Sequence, residues 1–77
     1  MNTLNHIRPG KSVFIEHVGG EGALKRRLME MGLTRGTRVT VRKVAPLGDP
    51  IEVNVRSYSL SLRKADAALV RVSAEGR

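Results

Sequence analysis

Residues 21–36 read EGALKRRLMEMGLTRG, and this stretch contains the clearest helical pattern of the 77-residue chain. Three apolar residues recur at the spacing of a single helix face: Leu24, Leu28 and Met31. Positions i, i+4 and i+7 lie on one side of an α-helix, so we expect this face to pack against a core. Gly32 can adopt the left-handed conformation that ends a helix, with Leu33 folding back onto the last turn. The pattern predicts a helix over residues 21–31 that stops at Gly32.

Short runs that alternate apolar and polar residues lie on both sides of this helix and predict β-strands. Five such runs occur, at residues 12–18, 37–45, 51–56, 57–63 and 68–72. A short turn or single helical turn is expected between the last two, at Lys64–Ala67. One strand, one helix and then four strands fit a mainly β fold. We expect a small barrel, because closure of a short sheet removes exposed strand edges.

Composition limits the chain to one small folded domain, with 40% hydrophobic and 27% charged residues. Fourteen Lys and Arg against seven Asp and Glu give a formal net charge of +7, which suits an acidic protein surface, nucleic acid or anionic lipid. The first residues lack the apolar stretch of a secretory signal. No segment approaches the ~20 apolar residues of a membrane span. We therefore expect a cytoplasmic protein whose contact with a membrane is only indirect.

The two histidines, His6 and His17, do not lie at spacings typical of metal sites, which need several convergent ligands. Glu16 adjoins His17 in the predicted first strand. Alternation places His17 on a face with Val13 and Ile15, and it places Glu16 on the opposite face. We therefore expect no metal site.

No combination of side chains indicates catalysis. The chain has no cysteine, and Ser57, Ser59 and Ser61 recur every second residue, as on a solvated strand face, without a matched base. No pair of carboxylates suggests general acid–base chemistry. We expect no catalytic residues, no cofactor and no enzymatic activity.

Two apolar residues are candidates for contact with a partner. Met29 lies about 100° around the helix from Leu28, away from the apolar stripe. Its flexible side chain suits an adaptable docking surface. Leu47 lies at the tip of the turn Pro46–Pro50. Both are expected to be exposed.

Three segments resemble the FeoA family, the small cytosolic component of bacterial ferrous iron uptake. They are RRLMEMGLTRG at 26–36, VAPLGDPIEV at 44–53 and SLSLRKADAALVRV at 59–72. Their order and spacing carry the resemblance, which runs from about residue 7 to residue 72. The resemblance implies that residues 1–77 form one FeoA-like domain with its core at about 7–72.

The resemblance also implies an SH3-like β-barrel with one helix inserted between its first and second strands. Its members are thought to act on FeoB, a membrane transporter with a cytosolic G-protein domain. The apolar contact positions that it implies here are Leu28, Met29, Leu33 and Leu47. We expect three cations to surround them: Arg26, Arg27 and Arg35.

The first hypothesis is therefore a non-enzymatic accessory or regulatory protein that binds the cytosolic part of a FeoB-type transporter. One alternative is a nucleic-acid-binding small barrel. It is disfavoured because stacking on bases needs aromatic side chains, and the chain has only Phe14 and Tyr58. Another alternative is a ferrous-sensing domain that uses His6 or His17 with carboxylates. Self-association through the exposed Met and Leu side chains stays open.

Overall fold

The computed structural model describes residues 2–74, and its elements follow the predicted order. Its strands are β1 (Asn2–Thr3), β2 (Ser12–Val18), β3 (Arg38–Val44), β4 (Ile51–Val55), β5 (Tyr58–Leu62) and β6 (Val70–Ala74). Its helices are α1 (Gly22–Glu30), α2 (Lys64–Ala67) and a 3-10 turn at Leu4–His6. Strands β2 to β6 correspond to the five predicted strands. The sequence did not predict β1, because two residues are too few to display an alternating pattern.

The six strands form one antiparallel sheet in the order β1–β6–β2–β3–β4–β5. The predicted mainly β fold is confirmed, with α1 inserted between β2 and β3. The edge strands β1 and β5 do not pair with each other, so the sheet remains open. The word barrel therefore describes this sheet only loosely.

The end of α1 has the geometry that the sequence predicts. The Gly32 amide donates to the Met29 carbonyl at 3.0 Å, and the Leu33 amide donates to the Leu28 carbonyl at 3.2 Å. Gly32 has a φ of +100°, in the left-handed region. These two bonds and the left-handed residue form the closing turn that glycine favours at helix ends. No helix within residues 2–74 has the length and apolar character needed to cross a bilayer.

Gly32 also allows the helix end to approach the sheet closely. A Cβ atom at this position would lie 2.9 Å from Tyr58 Oη and 3.2 Å from Val55 Cγ1. The Tyr58 hydroxyl donates a hydrogen bond to the Met31 carbonyl. That bond satisfies one of the carbonyls that a helix C-terminus leaves without an intrahelical partner. Both the backbone conformation and the available space therefore require glycine here.

A β-bulge in β2 changes the predicted alternation. Ile15 pairs with Val72 of β6, and His17 pairs with the adjacent residue Arg71. Glu16 is therefore an extra residue in the ladder. After the bulge, Val18 is buried, and Glu16 and His17 are both exposed. The prediction that His17 shares a face with Val13 and Ile15 is wrong, because an inserted residue reverses the alternation beyond it.

The core is formed by the inward side chains of strands β2 to β6, together with residues from the 3-10 turn, from α1 and the turn after it, and from α2. The side chains with no exposed surface are Leu4, Leu28, Leu33, Val39, Val41, Val53, Val55, Ala67 and Val70. Leu24 and Met31 are partly buried and pack against this cluster, so the predicted apolar stripe of α1 does face the core. Burial of such a side chain stabilises the fold by roughly 1.5–3 kcal/mol.

We expect Gly32→Ala to be more destabilising than Gly10→Ala. Gly10 also has a positive φ, +92°, but a Cβ atom there would meet nothing within 4 Å. Gly10→Ala therefore isolates the backbone penalty, about 1–2 kcal/mol. Gly32→Ala adds a collision with Tyr58 and Val55, which raises the loss by roughly a further 1–3 kcal/mol. Urea unfolding measures both free energies, and equal losses would contradict the close approach.

Leu28→Ala should lower the free energy of unfolding by about 2–5 kcal/mol, because it removes a fully buried side chain. Leu47→Ala is the matched control. Leu47 is 94% exposed, so we expect a change within about 0.5 kcal/mol. Thermal or urea unfolding of the two variants makes the comparison. A small loss for Leu28→Ala would mean that this side chain does not pack in the core.

Candidate partner-binding surface

Met29 is an exposed apolar residue of α1, with 42% of its surface accessible. Two shallow depressions meet at its side chain, one between α1 and β2 and one along α1. The helix surface, as we call it, consists of charged and apolar residues that line them: Glu16, His17, Lys25, Arg26, Met29, Glu30 and Arg35. The expectation that Met29 points away from the apolar stripe is confirmed.

Arg35 reaches the helix surface because the loop after α1 is tied to β2. The Gly36 amide donates to the Ile15 carbonyl at 2.7 Å, and the Ile15 amide donates to the Thr37 carbonyl at 2.9 Å. These bonds hold the loop beside the bulge of β2. Arg35 consequently lines the same depression as Met29.

The helix surface combines one flexible apolar side chain with several charges. Lys25, Arg26 and Arg35 supply cations, and Glu16 and Glu30 supply anions. Arg27 is exposed on α1, but it does not line either depression. The arrangement suits a polar contact around a small apolar centre, as at the rim and core of a protein interface.

The bulge places Glu16 and His17 on the rim of one depression rather than on opposite faces. The expectation that Glu16 and His17 lie on opposite faces is therefore wrong. Within residues 2–74, no group of three or more His, Asp or Glu side chains is arranged to hold a metal ion.

Leu28 and Leu33 belong to the core rather than to the surface. Both side chains have no exposed area. Leu28 lies on the inward stripe of α1, and Leu33 folds back behind the left-handed turn, where its amide bonds to the Leu28 carbonyl. The expectation that these two residues contact a partner directly is therefore corrected. Their role here is to pack α1 against the sheet.

Leu47 is almost fully exposed at the tip of the turn between β3 and β4. The turn is internally bonded, because the Gly48 amide donates to the Ala45 carbonyl at 2.7 Å. It is also tied to the start of α2, since the Lys64 amide donates to Asp49 Oδ1 at 2.9 Å. A hydrogen-bonded turn thus presents the Leu47 side chain to solvent.

The structure separates Leu47 from Met29. The end of α1 adjoins Val55 at one end of β4, as the contacts at Gly32 show. Leu47 precedes Ile51 at the other end of β4, about 14 Å away along a five-residue strand. The two exposed apolar residues therefore belong to separate surfaces, not to one continuous patch.

Sequence reasoning identified Met29 and Arg35 but missed their neighbours Glu16 and His17. The missing information was the bulge, which the alternating pattern of β2 does not reveal. It also missed Lys25 as part of this surface, although the helical spacing of Lys25 and Met29, at i and i+4, was available to suggest it.

Comparison with known proteins identifies relatives over nearly the whole chain. The family model of the FeoA domain matches residues 2–74. A fusion protein from Porphyromonas gingivalis, which joins Fe(2+) transport protein A to the Fe(2+) transporter FeoB, is 38% identical over 69 residues. The match covers 90% of this chain but only 8% of the fusion protein.

Solved structures agree with this match. The solution structure of FeoA from Chlorobium tepidum has a TM-score of 0.90 at 37% identity, covering 97% of this chain and 71% of that one. A zinc-complexed FeoA from Stenotrophomonas maltophilia, described as an SH3 domain protein, has a TM-score of 0.83 at 30% identity. That match covers 95% of this chain and 91% of the other, and it confirms the SH3-like fold. The chain belongs to the FeoA family, which is associated with ferrous iron transport.

Proposed function

We propose that this chain is a non-enzymatic, cytosolic accessory protein of bacterial ferrous iron uptake that binds the cytosolic part of a FeoB-type transporter. The observation that carries the proposal is the fusion protein, in which a homologous domain and FeoB are parts of one polypeptide. Fusion keeps two modules at a high effective concentration, which favours even a weak contact between them. A separate chain would need its own binding surface for the same association.

The helix surface is the contact that we propose. Met29 offers an apolar side chain that can adapt its shape to a partner. Three cations, Lys25, Arg26 and Arg35, line the same depressions and outnumber the two carboxylates there, Glu16 and Glu30. We expect the apolar centre to supply affinity, while the cations steer an acidic partner toward the correct orientation.

The turn at Leu47 is proposed as a second, separate contact. Its exposure favours this role, and the bonds that tie the turn to α2 limit the conformational entropy lost on binding. Because it lies at the other end of β4 from Met29, its contribution can be measured independently.

Met29→Glu should weaken binding to the purified cytosolic domain of FeoB by about tenfold or more, since it places a carboxylate in the apolar centre of the contact. Isothermal titration calorimetry measures the affinity. Leu47→Glu should weaken binding by a smaller factor. Ala65→Glu is the control, because Ala65 is exposed on α2 and the charge change is identical.

Circular dichroism establishes that each of these variants is folded. Unchanged affinity for both Met29→Glu and Leu47→Glu would reject both proposed contacts. A loss for Leu47→Glu alone would assign the interface to the β3–β4 turn. Equal losses of affinity for all three variants would mean that the change in net charge weakens binding, and not the loss of a specific contact.

Removing cations should slow association more than it speeds dissociation. We expect the double variant Lys25→Gln/Arg26→Gln to lower the association rate several-fold at low ionic strength and to lose most of this effect at high ionic strength. Surface plasmon resonance separates the two rates. Arg42→Gln/Arg63→Gln removes the same charge elsewhere and serves as the control. An equal reduction in both double variants would contradict steering by α1.

A further inference from the structure

A third depression lies on the side of the α1–β3 loop away from Met29. Its lining consists of Thr34, Arg35, Gly36, Thr37, Arg38 and Arg56. Three of these residues are arginines, and no carboxylate of the described residues is among them. A concentration of guanidinium groups around hydroxyl groups is the chemistry of an anion site.

Arg56 occupies an unusual backbone position at this depression. It begins the two-residue turn between β4 and β5 and has a φ of +58°, in the left-handed region. Tight hairpin turns favour Asn, Asp or Gly at this position, because these residues tolerate the left-handed conformation. The turn conformation itself gives no advantage to an arginine at this position.

The Arg56 side chain joins a small hydroxyl network. Its Nη2 atom donates to Thr37 Oγ1 at 3.2 Å, and Thr37 Oγ1 lies 2.9 Å from Thr34 Oγ1. The guanidinium is held by a neutral group at this contact, so its charge is not cancelled there. This contact fixes the position of the Arg56 side chain at a depression that Arg35 also lines.

The floor of the depression is accessible and held in place. Gly36 has a φ of +87°, and a Cβ atom there would meet nothing within 4 Å. The Gly36 amide bonds to the Ile15 carbonyl at 2.7 Å, and the Thr37 amide bonds to the Thr34 carbonyl at 3.0 Å. A ligand can therefore approach a loop whose backbone is already ordered, which reduces the entropy lost on binding.

We propose that this depression binds a phosphate group. The forks of Arg35 and Arg56, with a threonine hydroxyl, supply more donors than the two oxygens of a carboxylate can accept. A phosphate presents three or four acceptor oxygens and more negative charge. The phosphate comes from a soluble phosphate or from a lipid headgroup, since both carry the same chemistry. The site shares Arg35 with the proposed transporter contact, but Thr34, Thr37 and Arg56 lie outside that contact.

Titration of ¹⁵N-labelled protein with inorganic phosphate tests the proposal at constant ionic strength. We expect saturable shifts of the amide signals of Gly36, Thr37 and Ser57. Arg56→Asn keeps a residue that tolerates the left-handed turn and should weaken binding by about tenfold. Arg56→Lys keeps the positive charge but replaces the forked guanidinium, so we expect an intermediate loss of affinity for phosphate. Arg42→Gln removes one charge elsewhere and should leave the affinity unchanged.

A parallel arm uses vesicles of phosphatidylcholine with and without phosphatidylglycerol, measured by co-sedimentation. Binding that requires phosphatidylglycerol and is lost in Arg56→Asn, without saturable binding of inorganic phosphate, would identify the lipid headgroup as the source. Saturable binding of phosphate that Arg56→Asn weakens identifies a soluble source. The proposal is overturned if neither arm shows binding, or if Arg42→Gln weakens binding as much as Arg56→Asn.

Discussion

The close approach of the helix end to the β4–β5 hairpin depends on a glycine at position 32. The residue has a left-handed backbone and leaves no room for a Cβ atom beside Tyr58 and Val55. This single position allows three things at once: the helix stops, Leu33 enters the core, and the Tyr58 hydroxyl reaches the Met31 carbonyl. The orientation of α1 on the sheet follows from these contacts, and with it the outward direction of Met29.

The sequence predicts the fold where its signals are local and strong. The spacing of Leu24, Leu28 and Met31 and the glycine after them define the helix to within one residue at each end. The strand patterns locate β2 to β5 to within one residue at each end, whereas β6 begins and ends two residues later than predicted. Bulges cannot be predicted in this way, because the alternating pattern of a single strand does not show where an extra residue is inserted. Only the pairing with a neighbouring strand reveals that Glu16 is inserted in β2.

A second bulge in β3 has the same origin. Val41 pairs with Val53, but Lys43 pairs with the adjacent residue Glu52, so Arg42 is the inserted residue. Arg42 and Lys43 are both exposed as a result, and Lys43 Nζ lies 3.9 Å from Glu52 Oε1. The bulge thus keeps two consecutive cations in solvent within a strand that otherwise contributes to the core.

The candidate surface was predictable only in part. Helical geometry was enough to expect Met29 in solvent, and turn composition was enough to expect Leu47 there. Leu28 and Leu33 show the limit of a family resemblance, because a residue that matches a motif can do so through packing. The distance between Met29 and Leu47 depends on which end of β4 the helix reaches, and no local pattern in the sequence contains that information.

Arg35 lines depressions on both sides of its loop. A guanidinium can be held on only one side at a time, so a ligand that fixes it in one depression withdraws a donor from the other. Two occupants would then antagonise each other, and thermodynamic reciprocity requires the same factor in both directions. Arg35 would thus link the proposed phosphate site to the proposed transporter contact, and each ligand would weaken the binding of the other.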